Sequence, residues 1–316
     1  MSAGELSRKN VIDAGRVIYG YCVRTPLQYD YYLSSKTRTD VYLKMETFQP
    51  VRSFKIRGTA NKMLRVREDG VITASSGNHG MAVAYMARRL NKKATIVLPE
   101  NVNRSKLKII SSFGAEVVFC GTSSDERMAK AREISSSRGL RMIPPFDDPE
   151  IIAGQGTIGL EMQSDQRCDF VLSPVGGGGL ISGIALSYDG VPGTEVIGVQ
   201  SENSRSMYES LKEGKPVVSP SATVADGIAV TTPGKLNVSI LSKRVRRILL
   251  VSDEEILSAV REMWVNSRIL MEPASASTVA ALLRYRTSLP EGALSVALII
   301  SGGNVSDSVV QMLGGA

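Results

Sequence analysis

Along the chain, short apolar runs rich in β-branched residues alternate with longer stretches whose apolar positions recur every three to four residues. Residues 71–74, 94–98 and 116–119 read as strands, each followed by a helical stretch at 78–90, 104–113 and 124–136. Upstream, 10–19 reads as an amphipathic helix closed by Gly20, 41–46 as a short strand, and a further helix opens near Lys55. A Pro-rich interruption at 144–149 breaks the alternation, which then resumes. Helices at 157–163, 180–188, 205–213, 253–267 and 273–285 alternate with strands at 170–173, 195–200, 245–251 and 295–300, and a last helix follows Asn304. Strands joined through helices form right-handed crossovers and parallel sheets covered on both faces. The expected fold is α/β, with two lobes that each carry a mostly parallel β-sheet flanked by helices. Residues 1–54 and 148–316 are expected to form the larger lobe and 55–147 the smaller.

Three loops fall at C-terminal ends of expected strands, where open α/β sheets hold their ligands. The first, Ser75, Ser76, Gly77, Asn78, His79 and Gly80, offers backbone N–H groups and short hydroxyls to a carboxylate, and an amide to a polar ring substituent. The second has four glycines, Gly176, Gly177, Gly178 and Gly179, just before a helix starting at Leu180. Without side chains in the way, successive N–H groups can close around a phosphate there. The spacing is neither that of a dinucleotide fold nor that of a P-loop. The third, Ser301, Gly302, Gly303 and Asn304, places a hydroxyl where it can meet a neutral ring nitrogen. Lys55, in Ser53-Phe54-Lys55-Ile56-Arg57-Gly58, sits at a helix start, where partial positive charge, burial and the neighbours Arg52 and Arg57 would all lower an amine's pKa.

Composition narrows the chemistry. The 316 residues are 43% hydrophobic and 22% charged, an ordinary globular balance long enough for two lobes. The net charge of +7 is scattered and aromatics are only 5%, so no nucleic-acid stripe is expected. No apolar run reaches bilayer length and residues 1–10 lack a signal peptide's apolar core, so the expectation is a cytoplasmic protein without a membrane partner. Cys22, Cys120 and Cys168 are odd in number and widely spaced, which fits reduced thiols rather than disulfides or a zinc site. His79 is the only histidine, which argues against a His-based metal site and leaves one imidazole for any triad. A cofactor is therefore expected to carry the hard step. Pyridoxal 5'-phosphate has an aldehyde, a phosphate, a ring oxygen and a ring nitrogen to match Lys55, the glycines, Asn78 and Ser301.

These motifs, with Gly154-Gln155-Gly156-Thr157-Ile158-Gly159-Leu160-Glu161, Ala225-Asp226-Gly227-Ile228-Ala229-Val230 and Glu272-Pro273, occur in the order found in one family. The chain resembles the fold-type II pyridoxal-phosphate enzymes, built like the tryptophan synthase β subunit, and among them the threonine/serine dehydratases and serine racemases. The resemblance implies that Lys55 forms the Schiff base with the cofactor and serves as base toward Cα, and that Phe54, Asn78, Gly176 to Gly179, Leu180, Gly227, Glu272, Ser301 and Gly302 contact the cofactor. It implies that Ser75, Ser76, Gly77, Asn78 and His79 grip the substrate, with Ser76 as the second catalytic group, and that the cofactor phosphate protonates the departing hydroxyl. The implied reaction is α,β-elimination from L-threonine or L-serine, giving a 2-oxo acid and ammonia. A serine racemase with side dehydratase activity and a 3-hydroxyaspartate dehydratase are the alternatives. A homodimer or higher homo-oligomer is implied, and no metal, because the stretch 200–206 keeps only Glu202 of the acidic side chains that eukaryotic racemases use. Ile56 replaces the aspartate that follows the lysine in threonine and cysteine synthases, so β-replacement is not expected. The chain ends soon after the Ser301 loop, so no regulatory domain, and no isoleucine inhibition through one, is expected. Arg52 stands where many relatives have glycine.

Overall fold

The computed structural model describes residues 6–102, 104–286 and 295–314. In chain order the strands are β1 (Leu27–Tyr29), β2 (Asp40–Met45), β3 (Gly70–Ala74), β4 (Lys93–Leu98), β5 (Glu116–Phe119), β6 (Arg141–Met142), β7 (Phe170–Pro174), β8 (Glu195–Ser201), β9 (Ile248–Val251) and β10 (Ser295–Ile300). They form two sheets. The larger runs β1-β2-β10-β7-β8-β9 and is parallel except for β1, and the smaller runs β5-β4-β3-β6 and is parallel throughout.

Parallel strands need cover on both faces, and the side-chain period of two supplies it. In β10, Val296, Leu298 and Ile300 join the cluster under the helix Pro273–Tyr285, while Ala297 and Ile299 join the cluster that includes Ile181 and Ile184 of the helix Gly179–Ser187. The smaller sheet is sandwiched in the same way. Val71, Ala94 and Ile96 pack with the helices Lys55–Met63 and Asn78–Arg89, and Ile72 and Val97 pack with Ala131 and Ile134 of the helix Ser124–Arg138.

The structure departs from the sequence expectation at several elements. The helix expected at 157–163 spans Pro149–Asp165, with Asp148 capping the N–H groups of Glu150 and Ile151. Glycines at 154, 156 and 159 weaken the helical signal in isolation. Close packing requires them. A Cβ on Gly154 would lie 2.6 Å from the Arg57 carbonyl oxygen, one on Gly156 2.5 Å from that of Gly183, and one on Gly159 1.9 Å from Ser187 Oγ. Along 245–251 only β9 is a strand, because Val245 ends a helix, Lys235–Arg244, that the apolar pattern does not single out. The 253–267 helix is regular over Asp253–Glu262 and finishes as a π-turn, Met263–Ser267, stopped by Arg268 at φ 54°. The short helix Tyr31–Thr37 and the strands β1 and β6 carry too few residues to show a period.

Arg52 has a structural account. Its backbone is left-handed, with φ 55°, its N–H donates to the Gln49 carbonyl at 2.7 Å, and its own carbonyl accepts from Gly303 N–H at 2.9 Å. A left-handed residue with a side chain is disfavoured by about 1 kcal/mol, so glycine suits this position. Arg52→Gly is therefore expected to leave the melting temperature unchanged or raise it, whereas Arg52→Val should lower it; the opposite order in thermal unfolding would refute the backbone account. Gly156→Ala should destabilise by about 1–3 kcal/mol through forced separation of the two helices, and an unchanged melting temperature would contradict that contact.

Candidate functional site

Lys55 is the first residue of the helix Lys55–Met63. The chain before it is stitched to the loop after β10. Ser53 forms a β-bridge with Gly302, and Phe54 N–H donates to the Ser301 carbonyl at 3.0 Å. The residue is half-buried, opening onto a cavity of about 290 Å³, with Nζ donating to the Pro145 carbonyl at 2.9 Å and lying 5.3 Å from the centre of the Phe54 ring. Burial pushes its amine down to about 8, with the Glu272 carboxylate acting in the opposite direction. The neighbours invoked from sequence play no part. Arg52 points to solvent, and Arg57 is wholly buried between Glu46 and Glu161.

The cavity brings the three loops to Lys55. Its wall includes Phe54, Ser75 to His79, all four glycines 176–179, Leu180, Gly227, Glu272 and Ser301. Gly302 is the exception among the expected cofactor contacts, since it sits behind the wall; a Cβ there would lie 2.5 Å from Glu272 Oε1. Helices starting at Lys55, Asn78, Gly179 and Pro273 all open onto this space, and none has a side-chain hydrogen bond at its N-cap. Elsewhere Asp30, Ser123, Asp148 and Ser252 cap their helices with a side chain. Four helix starts without a side-chain cap bring partial positive charge to one volume, which favours an anionic occupant.

The glycine loop fits a phosphate. Gly178 is left-handed at φ 99°, and a Cβ on Gly177 would fall 2.4 Å from the Phe146 ring. Any side chain at that position would meet the ring, so backbone alone can face the cavity. Ser301 is buried and its Oγ lies 3.1 Å from Ser275 Oγ. Asn78 Nδ2 donates to both carboxyl oxygens of Glu272, at 3.0 and 2.9 Å. Burial pushes the Glu272 carboxyl up to about 7, and Asn78 opposes that shift. His79 is buried with Nε2 3.0 Å from the Ile143 carbonyl, and burial followed by the Lys55 charge pushes it down to about 3. Its imidazole is neutral at ordinary pH and holds the loop against the Ile143 backbone.

Sequence reasoning passed over several wall residues, among them Phe146, Asn304, Lys106, Arg127 and Asp226. Phe146 comes from the Pro-rich interruption, Asn304 from the end of the third loop, and Lys106 and Asp226 form an ion pair of 2.6 Å on the cavity wall. Asp226 and Asn304 lay inside quoted motifs, whereas Phe146 and Lys106 reach the cavity only through the fold. Glu202 pairs with Arg284 at 2.8 Å, and among the described residues no group of three or more His, Cys, Asp or Glu side chains is placed to hold a metal. Among them, too, no helix is long and apolar enough to cross a membrane.

Comparison with known proteins identifies the family. The family model described as "Pyridoxal-phosphate dependent enzyme" matches residues 18–302, and the chain belongs to that family. It is 39% identical over 315 residues to an L-threonine ammonia-lyase of Thermotoga maritima, covering 98% of this chain and 78% of that protein. The processed form of threonine deaminase isoform 2 from Solanum lycopersicum superposes with a TM-score of 0.93 at 34% identity, covering 99% of this chain and 93% of that one. Serine racemase from Dictyostelium discoideum superposes with a TM-score of 0.89 at 32% identity, covering 96% of this chain and 100% of that one.

The depressed amine has a direct consequence in the cofactor-free protein. Only the neutral amine acylates, so Lys55 should label with a half-maximal rate near pH 8, against about 10.4 for a surface lysine. Glu272→Gln should move that midpoint lower still. Peptide mapping of a pH series reads both, and a Lys55 midpoint at the surface value would contradict the desolvated position.

Proposed function

We propose that this chain is a pyridoxal-phosphate-dependent L-threonine/L-serine ammonia-lyase, which eliminates the β-hydroxyl of its substrate as water and takes one water back on hydrolysis, so that the net products are a 2-oxo acid and ammonia. The observation that carries the reading is the convergence of Lys55, the glycine loop, Asn78 and Ser301 on one cavity. The names of the relatives at 34–39% identity support the substrate class. Lys55 would hold the cofactor aldehyde, the N–H groups of Gly176 to Gly179 and Leu180 its phosphate, Asn78 its ring oxygen and Ser301 its ring nitrogen. Phe54, Gly227 and Glu272 would flank the ring, with Gly302 behind Glu272. When bound, the cofactor supplies an electron sink that weakens the substrate Cα–H bond and assists loss of the β-hydroxyl.

The protein's own groups account for the rest. Ser75, Ser76, Gly77, Asn78 and His79 lie at an uncapped helix start, so their backbone N–H groups orient the substrate carboxylate. Lys55 Nζ takes the Cα proton. An amine depressed to about 8 is in part neutral near physiological pH and can accept it, whereas one near 10.4 would be almost wholly protonated. Ser301 is a neutral partner and does not hold a proton on the ring nitrogen as an aspartate would, which favours prompt elimination over a long-lived carbanion. The Lys106–Asp226 pair lies on the cavity wall.

Serine racemisation is the second reading. Ser76 lines the same cavity as Lys55 and offers the hydroxyl that returning a proton to the opposite face of Cα would need. The assignment also carries with it a cytoplasmic homodimer or higher homo-oligomer, and lobes at 1–54 with 148–316 and at 55–147.

Purified protein supplied with pyridoxal phosphate should absorb in the near-visible and form equal amounts of 2-oxo acid and ammonia from L-threonine and L-serine. Lys55→Ala should lose both the band and the reaction. D-Serine appearing faster than pyruvate would install the racemase reading, faster turnover of 3-hydroxyaspartate would move the substrate assignment, and no 2-oxo acid from any of the three would overturn the lyase assignment.

A further inference from the structure

We propose that Asn304 is a positioning residue that sets which end of the Asn78 amide faces the cavity, so that Asn78 presents a hydrogen-bond donor to the cofactor's ring oxygen. The inference rests on the cofactor reading above and deepens it. The oxygen and nitrogen of an asparagine amide have nearly the same shape, so a half-turn of the amide swaps a donor for an acceptor at almost no steric cost. Something must select one orientation.

The selection starts from an atom whose role is not ambiguous. The backbone carbonyl of Val51 can only accept, and Asn304 Nδ2 lies 2.9 Å from it. The NH2 end of Asn304 therefore faces Val51. The same nitrogen lies 2.7 Å from Asn78 Oδ1, so both of its protons are used. Asn78 must then turn its oxygen toward Asn304 and its NH2 the other way, where Nδ2 meets Glu272 Oε1 and Oε2 at 3.0 and 2.9 Å. A half-turn of Asn304 would set its oxygen against two acceptors. A half-turn of Asn78 would set its oxygen against the Glu272 carboxyl and leave two NH2 groups facing each other.

The far end of the relay reinforces the same direction. Glu272 is 4% exposed, and among the described residues Asn78 is the side chain that donates to it. The Asn78 NH2 has two protons, enough to keep one on Glu272 and give the other to a ring oxygen. A donor there stabilises the oxygen's negative charge, whereas an acceptor would repel it. Asn304, itself on the cavity wall, thus acts on the cofactor through Asn78.

The test is a pH titration of the near-visible band of the holoenzyme, read in variants that keep the charged and titratable groups facing this space, Lys55, His79, Lys106, Arg127, Asp226 and Glu272. Loss of the donor leaves the ring oxygen more basic and better able to hold the neighbouring proton. Asn78→Ala should therefore raise the midpoint by about one pH unit. Asn304→Ala should raise it in the same direction, and should add nothing further in the Asn78→Ala background. Asn304→Leu keeps the approximate size without a donor, an acceptor or a charge, so it should free the Asn78 amide to turn and raise the midpoint in the same direction as the alanine variant does. It also carries the test if the alanine variant does not fold. A purely structural role would lower the melting temperature of the cofactor-free protein without moving the midpoint. An unmoved midpoint in a folded Asn304 variant, or a shift that adds in full to that of Asn78→Ala, overturns the proposal. A wild-type protein with no near-visible band would instead sink the cofactor reading, and this inference with it.

Discussion

Arg57 has no exposed surface, and its charge is balanced inside the protein. Its Nε and Nη2 reach Glu46 at 2.8 Å, Nη1 reaches Glu161 at 2.6 Å, and the equally buried Lys44 joins Glu161 at 2.6 Å. Burial works against the charged carboxylate of Glu161, but Arg57 and Lys44 more than offset it and hold the group below the usual carboxylate range. Two cations and two carboxylates are thus neutralised together. Thr25 Oγ1 and Tyr19 OH donate to Glu46 and Glu161. Removing one partner from such a cluster leaves an unpaired buried charge, a loss of about 3–5 kcal/mol. The cluster ties the start of the Lys55 helix to the end of β2 and to the helix Pro149–Asp165.

That tie orients Lys55. Arg57 lies two positions further along the chain, roughly 200° around a helix, so the two side chains leave on opposite sides of the first turn. One side is locked into the interior by the ion cluster, and the other is left facing the cavity. Gly58, the next residue, packs so closely on Gln155 that a Cβ there would lie 2.5 Å from Nε2. The helix is buried from Ile56 to Met63 and held there by charge and close contact, so that its first residue, Lys55, is the one left opening onto the cavity.

The cavity follows from where the chain ends its strands. The loops after β3, β7 and β10 and the segment before Lys55 all reach one volume, and helices open at it without side-chain caps. A helix start carries partial positive charge, and four of them at one volume favour an anion. The same space holds groups whose charges burial makes costly, Lys55 pushed down and Glu272 pushed up. In the proposed reaction, phosphate binding and proton transfer would draw on one arrangement, in which helix starts meet at the cavity and the charges of Lys55 and Glu272 are kept weak.

Much of this was written locally. The period-two and helical patterns predict the two parallel sheets, because burial on both faces demands continuous apolar strands. The glycine run, the Ser75 loop and the Ser301 loop are legible because backbone approach to a ligand excludes side chains over several consecutive residues. The helix Pro149–Asp165 was harder to read, since its glycines serve contacts with Arg57, Gly183 and Ser187 that are distant in sequence. Sequence alone determined that Lys55 opens a helix and that three glycine- or serine-rich loops follow strands. Only the tertiary structure decided that Arg57 turns away from it into an ion cluster, that Phe146 and the Lys106–Asp226 pair reach the cavity wall, and that Val51 and Asn304 set the direction of the Asn78 amide. Each of those depends on atoms brought together from separate elements, and no local pattern encodes a distance across the fold.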